Sequence, residues 1–386
     1  MKYSYNTVLL LFTTSLLLFS CRKPISDLMV NDSSVETITL DVNEKSIKNL
    51  DDAFKTIKCV ALETNDNNLI GQIDDVFFID STIIVVDEGI AKAVYLFDNS
   101  GKFKGRISFN GRGKHEYLQL THVFRRGKSI AINDLIRREI NFFDLNGKPI
   151  KTIKYKLPFN EVESLGDNYL ACNIYRGNSK EFSNLNDYSF VILDDETDPV
   201  YAFGADNSNP DMILTRVKNL YSFDNHVYCT VNFDNVIYEL TKDSAIAKYR
   251  LVMSPDLLKE VKFETTEEAL EYTSENPFFF GFFTELKDYS VFGLSVPNEG
   301  LIHFVYDHKT KETRRLPLES QNPLFAFFST PMFRNGDNTI VVPVNSERIL
   351  HYKEMLERAG IKIVFDDENL EKLTRESNPV LLYYEM

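Results

Sequence analysis

The sequence predicts an all-β chain folded as a six-bladed β-propeller with short helical insertions in the late blades, and three observations carry that prediction. The chain repeats itself: Phe97 and Phe143, Asp98 and Asp144, Gly101 and Gly147, and Lys102 and Lys148 are each 46 residues apart, and Ile84–Asp87 falls on Ile130–Asn133 at the same offset. A repeat near that length is one four-stranded blade. Short β-branched or aromatic runs alternate with turn clusters, with no helical period between them. Similar strand ends recur at Phe97, Phe143, Leu193, Leu240, Tyr306 and Tyr384, giving six marks and therefore six blades.

The first element is a targeting segment over residues 1–20. Lys2 is a short positive start, Val8–Phe19 is an apolar run of signal-peptide length, and Leu18-Phe19-Ser20-Cys21 follows. The run is too short and too weakly flanked for a transmembrane span. The tetrapeptide resembles the lipobox of bacterial lipoproteins, which implies cleavage before Cys21 and acylation of that residue. Arg22, rather than Asp, follows the cysteine. The resemblance then implies an outer-membrane lipoprotein, facing the periplasm or the cell surface. Acylation on this pattern exceeds what stable anchoring needs. Residues 21–35 read as the lipidated Cys and a flexible polar tether, and residues 36–386 as the propeller domain.

Within that domain, Ile38–Val42 and Phe54–Leu62 read as the first strands. Ile83–Val86, a polar turn and Val94–Phe97 follow, then a turn at Asp98–Gly101, where Asn and Gly tolerate positive φ. Phe103–Phe109 returns. Blade strands are covered on both faces, so they are apolar throughout and do not alternate; the 30 Phe and 19 Tyr suit filling between blades. Two intervals are stretched. Ser254–Asp288 contains helical patterning over Asp256–Phe263 and Thr266–Tyr272, then the aromatic run Phe278–Phe283, which reads as a buried strand. Ser346–Gly360 reads as a helix with Ser346 as N-cap and Gly360 beyond its end. The C-terminal strand Val380–Tyr384 is expected to join a blade begun by N-terminal strands, because that removes an open sheet edge.

The net charge is −14, and removing the first 20 residues takes Lys2 with it. An acidic chain argues against nucleic-acid binding. Cys59, Cys172 and Cys229 show no paired spacing and read as buried free thiols.

Gly111-Arg112-Gly113-Lys114-His115-Glu116-Tyr117, placed after the Phe97–Lys102 repeat, resembles the signature of the six-bladed β-propeller lipoproteins of gut Gram-negative anaerobes. Val60–Thr64 is similar to that family's opening strand and Asn378–Leu381 to its closing strand. Lys114-His115 departs from the family's usual Pro-Gly. The resemblance, which extends to NHL-type propellers, implies the fold and no established activity.

Candidate binding residues come from two features. Arg112 and Glu116 sit in the signature loop, where they either line the channel entrance or pair with each other. Gly101–Lys156 holds 14 Lys and Arg against 4 Asp and Glu; Arg125, Arg126, Arg137 and Arg138 fall in its turns and suit an anionic partner. No nucleophile elbow, phosphate loop or HExxH is present, so no catalytic residue and no metal ligand is assigned. The expected role is a membrane-anchored binding or scaffold module for an envelope protein or glycan. No cofactor is expected. The alternative is a metal-dependent hydrolase or lactonase, with calcium held in the channel by Glu63, Asp75, Asp134 and Asp224.

Overall fold

The computed structural model describes residues 25–49, 52–174, 181–204, 218–231, 234–254, 263, 265–318, 328, 332–358 and 372–386. Cys21, the expected helix over Asp256–Phe263 apart from Phe263 itself, and Gly360 lie outside the described residues.

Six antiparallel sheets form the propeller. Blade 1 comprises Asp75–Ile79, Thr82–Asp87, Ala93–Asp98 and Phe103–Ile107. Blade 2 comprises His122–Arg126, Ser129–Asp134, Glu139–Phe143 and Pro149–Lys154. Blade 3 comprises Glu161–Leu165, Tyr169–Asn173, Phe190–Leu193 and Pro199–Phe203, and blade 4 Leu220–Phe223, His226–Thr230, Val236–Leu240 and Ser244–Ser254. Blade 5 comprises Phe278–Glu285, Tyr289–Val296, Gly300–Asp307 and Thr313–Arg315. Blade 6 takes three strands from the C-terminal part, Phe333–Asn335, Thr339–Val344 and Val380–Glu385, and its outer strand, Thr56–Ala61, from near the N-terminus. The ring closes as the sequence suggests, with Val380 opposite Ala61 and Glu385 opposite Thr56.

Every one of the six strand-end marks falls on the third strand of a blade, because the turn that follows has its own chemistry. Asp98 accepts the amides of Ser100 and Lys102, and its carbonyl takes the Gly101 amide at 2.9 Å. Asp144 does the same with Asn146, Lys148 and Gly147, and Asp194 with Glu196, Asp198 and Thr197. Gly101, Gly147 and Thr197 all have positive φ. The second-strand alignment is corrected by one residue. Asp87 is the structural equivalent of Asp134, not Asn133: each ends its strand, paired with Ala93 and Glu139 respectively. Each accepts backbone amides from the segment before its blade, Gly71 and Gln72 for Asp87 and Leu118 for Asp134. Blade 2's turn is one residue shorter, which shifts the offset there to 47.

Alternate side chains of one strand pack on opposite neighbours. Ile83, Val85, Tyr95 and Phe97 face blade 6, while Ile84, Val86, Val94 and Leu96 face blade 2. Among the described residues six such apolar clusters lie one at each inter-blade interface. Gly101 sits where the ring closes, its carbonyl taking the Glu63 amide at 2.8 Å. Its φ is +82°, and a Cβ there would lie 2.2 Å from the Ala61 carbonyl oxygen, whereas at Gly147 the nearest atom is a movable Ile107 carbon at 3.3 Å. Gly101→Ala is therefore expected to destabilise by about 3 kcal/mol or more and Gly147→Ala by about 1–2 kcal/mol. Urea midpoints of the two variants, compared side by side, check that order.

The polar stretch expected to be a loose tether is docked from Ser26 onward. Ser26–Asp27 pairs in parallel with the outer strand of blade 3, and Met29–Asn31 and Glu36–Asp41 with that of blade 4. Outer strands leave unpaired backbone groups, and the N-terminal segment covers two of those edges. Ile38 and Leu40 thus complete the blade 4–5 core and are not part of the closing blade.

Phe278–Glu285 is the inner strand of blade 5 and almost wholly buried, the buried strand that its aromatic run predicts. Before it lies helix α1 (Thr266–Glu275), capped by Thr265. Helix α2 spans Ser346–Arg358. Its N-cap is Asn345, whose side chain takes the Arg348 amide at 2.9 Å. Ser346 instead donates to the Asn378 carbonyl at 2.6 Å, tying the helix to the chain before the closing strand.

Candidate functional site at the axial channel

In an antiparallel four-stranded blade the outer strand returns the chain for the next inner strand, so all six inner strands run the same way. Their first residues therefore gather at one mouth of the central channel. The channel is a cavity of about 1750 Å³ that draws on all six blades.

Blades 1–3 begin their inner strands with ionisable residues: Asp75, His122 and Glu161. Glu163 follows Glu161 on the same strand and Lys218 precedes the inner strand of blade 4; Asp74 and Glu88 complete the wall. Five carboxyls thus share one ammonium. Lys218 is paired with Asp75. Glu161 accepts the Asn219 and Leu220 amides, each at 2.8 Å, joining blade 3 to blade 4. Asp74 accepts the Glu88 amide at 2.7 Å. By contrast, the carboxyl groups of Glu88 and Glu163 have no hydrogen-bond donor among the described residues.

The electrostatics follow from burial of like charges. Burial pushes Glu163 up to about 8, with Lys218 pulling it down and Asp75 pushing it further. Burial likewise raises Glu88 to about 8, opposed by Lys218 and reinforced by Asp75, Asp74 and Glu161. It raises Glu161 to about 7 against its two backbone amides. Burial alone would lower the Lys218 ammonium, but Asp75 and Glu163 outweigh it and hold it above its ordinary value. His122, only 3% exposed, is driven down to about 3, chiefly by burial, and is neutral. Its ring bonds the Val162 backbone, and Nε2 is left without a hydrogen bond, 3.6 Å from Glu163 Oε1.

The opposite wall is aromatic. Blade 5 begins its inner strand with Phe278 at the mouth; Phe280 and Tyr221 continue the wall inward, and Phe223 and Phe333 line the channel toward its other end, beside Asp224 and Arg334. Tyr221 stacks on Phe223 at 6.1 Å and donates to the Gly281 carbonyl at 2.8 Å. One mouth therefore offers acceptors on one side and rings on the other.

Of the six residues expected to bind a ligand, Arg125 alone lines the cavity, near the far end, donating to the Gly127 carbonyl at 2.8 Å; Asp75 and Asp224, expected to bind calcium, line it as well. Arg112 is exposed and forms no pair with Glu116 among the described residues; Glu116 instead closes its own loop by accepting the Gly113 amide at 2.6 Å. Neither lines the channel. Arg126 donates to the Asp167 carbonyl and Arg138 to the Lys156 carbonyl. Arg137 bridges Glu139 at 3.0 Å and the Gly113 and Glu116 carbonyls. These guanidiniums hold turns and loops. The four residues expected to bind calcium do not converge. Glu63 takes the Phe103 amide, Asp134 takes backbone amides, Asp224 pairs with Arg334, and Asp75 pairs with Lys218. No group of three or more His, Cys, Asp or Glu among the described residues is arranged to hold a metal ion.

A second polar cluster joins blades 4 and 5. Glu285 accepts Ser290 Oγ at 2.5 Å, and Tyr249 and Lys248, each at 3.0 Å; His308 Nε2 lies 2.8 Å from Ser290 Oγ. A serine beside a histidine invites a nucleophile reading, but Ser290 is fully buried and no acyl group can reach it. Cys59, Cys172 and Cys229 are free and buried; burial pushes the Cys59 thiol up to about 12.

Two solved structures share the fold. One is a protein described as exported from Bacteroides fragilis NCTC 9343, 17% identical, covering 92% of this chain and 99% of that one with a TM-score of 0.71. Another is a member of the DUF4221 family from Bacteroides vulgatus, 10% identical, covering 86% and 96% with a TM-score of 0.55. No curated protein matches the chain. Residues 35–385 match the family described as a domain of unknown function, DUF4934, and the chain belongs to that family.

Proposed function

We propose that this chain is an exported, lipid-anchored binding propeller that holds its ligand in the axial channel. The observation that carries the reading is the channel mouth, where side chains from different blades expose unpaired acceptors opposite an aromatic wall. Carboxyls that open on a cavity of that size without a donor from the protein are free to take one from a ligand. The exported neighbour of similar fold supports an envelope address, and no helix among the described residues is long and apolar enough to cross a membrane. Attachment then rests on acylated Cys21 at the outer membrane, and the envelope partner remains a protein or a glycan. The basic turns at Arg125–Arg138 lose their claim as the main contact surface because most of their guanidiniums are already engaged.

Capture tests this. The full chain, purified in detergent, is incubated with an envelope extract and the bound glycans, peptides and small molecules are identified. Ser222 is exposed on the inner strand of blade 4 and lines the channel, so Ser222→Trp narrows it without disturbing the core. At least one compound is expected to be enriched tenfold on the wild type over Ser222→Trp. Equal recovery on both would move the binding surface off the channel. Labelled palmitate should enter the wild type and not Cys21→Ala.

A further inference from the structure

We propose that the acidic mouth of the channel binds a primary ammonium group whose apolar body lies against the wall formed by Phe278 and Phe280. The inference rests on the channel being the ligand site and adds the chemistry of the ligand.

Two groups define the recognition. The Glu88 and Glu163 carboxyls lack donors among the described residues, and Glu163 is only 7% exposed. Deprotonated, both accept and neither is supplied, while an ammonium group carries three N–H donors. The surroundings have the sign that a cation requires. Asp74 and Asp75 on blade 1, Glu88 beyond its second strand, and Glu161 and Glu163 on blade 3 face a single Lys218. At the other end of the channel Asp224 pairs with Arg334, while Asp167 and Arg125 line the same cavity, so the excess of carboxyl over basic groups lies at the mouth. A metal ion would meet the Lys218 ammonium in its own coordination space. An organic ammonium donates to the open acceptors and leaves the Lys218–Asp75 pair in place. The aromatic wall supplies what a small inorganic cation would not use: rings that cover an apolar body and favour a cation beside their faces.

The carboxyls of the empty mouth hold protons near neutral pH. An entering ammonium displaces a proton, so binding strengthens as pH rises and releases protons to the buffer. The same chemistry is carried by a free amine and by a peptide terminus.

Calorimetric titration of the full chain with phenethylamine, and with its neutral isostere 2-phenylethanol, tests the idea. The amine is expected to bind at least tenfold tighter than the alcohol. Its affinity should rise about tenfold from pH 6.5 to 8.0, and its heat should differ between buffers of low and high ionisation enthalpy as protons are released. Glu163→Gln should weaken the amine about tenfold and leave the alcohol unchanged. Phe-Gly-Gly, which presents the same ammonium on a peptide, distinguishes the sources. Binding of the tripeptide with phenethylamine excluded assigns the site to peptide ends; the reverse assigns it to free amines. Equal binding of amine and alcohol, an unaffected Glu163→Gln, or no binding of either ammonium probe overturns the proposal. If capture still depends on Ser222 while both ammonium probes fail, the channel stands as a site for a neutral ligand and the ammonium assignment alone falls.

Discussion

A chain ended at Pro379 is expected not to fold. Val380–Glu385 is an interior strand of blade 6, paired with Thr339–Val344 on one side and Thr56–Ala61 on the other. Its loss strands both neighbours. Val380, Leu382, Tyr384 and Met386 belong to the core between blades 5 and 6, and Leu381 to the core between blades 6 and 1. Each such side chain is worth about 1.5–3 kcal/mol in burial. Five of them approach the whole stability of a typical domain, about 5–15 kcal/mol. Lys55 and the backbone of Met386 also close the ring through a 2.6 Å hydrogen bond. Loss of the cooperative near-UV melting transition in the truncated chain is the expected readout; a transition within a few degrees of the full chain would contradict the closure.

The second large effect is a pH dependence centred on Lys218. Glu88, Glu161 and Glu163 have folded pKa values of about 7 to 8, above the value of about 4.5 expected when unfolded. The folded chain therefore holds more protons than the unfolded chain between those limits, and stability falls as pH rises through them. The slope reaches about 1.4 kcal/mol per pH unit for each carboxyl in its window. His122 and His303, both held near 3 by burial, act in the opposite sense. The unfolded chain binds their protons below about 6.5, so their contribution is lost as pH falls from there. Above 6.5 only the carboxyls of this group still titrate. The urea midpoint should therefore decline from pH 6.5 to 8.5 in the wild type and decline less in Glu163→Gln. Lys218→Met removes the one ammonium among five carboxyls. It should cost about 3–5 kcal/mol at pH 8 and less than half of that at pH 5.5, where the raised carboxyls are neutral. A midpoint that holds or rises toward pH 8.5 would contradict the charge balance of the mouth.

The blades were legible in the sequence because the turn after each third strand has a fixed chemistry. Asp98, Asp144 and Asp194 bind the following amides, and Gly101 or Gly147 accepts the positive φ. Closure was legible for a similar reason: an edge must be covered. Edge covering by Ser26–Asp41 was not, since Ser26–Asp27 and Met29–Asn31 are exposed and Leu28 between them is the one side chain of that stretch buried in the core, too little pattern to mark a strand. The mouth was hidden because it takes scattered residues from successive blades, so no local motif records it. Asp75 reads in the sequence as a calcium candidate, while His122, Glu161, Glu163 and Lys218 fall in no motif. One signal was available. An ionisable residue followed by Val opens the inner strand in Asp75-Val76, His122-Val123 and Glu161-Val162. In the basic turns Arg125, Arg126, Arg137 and Arg138 each cap a backbone carbonyl, a contact that the sequence does not record.

The most direct measurement is a crystal structure of the full chain grown with phenethylamine, beside one grown with 2-phenylethanol. The account predicts the amine nitrogen within hydrogen-bond distance of Glu163 and the ring of the ligand against Phe278, with the alcohol absent from that position. Ligand found only along the Arg125–Arg138 face, with the Glu88 and Glu163 carboxyls bonded to one another and to ordered water, would contradict it.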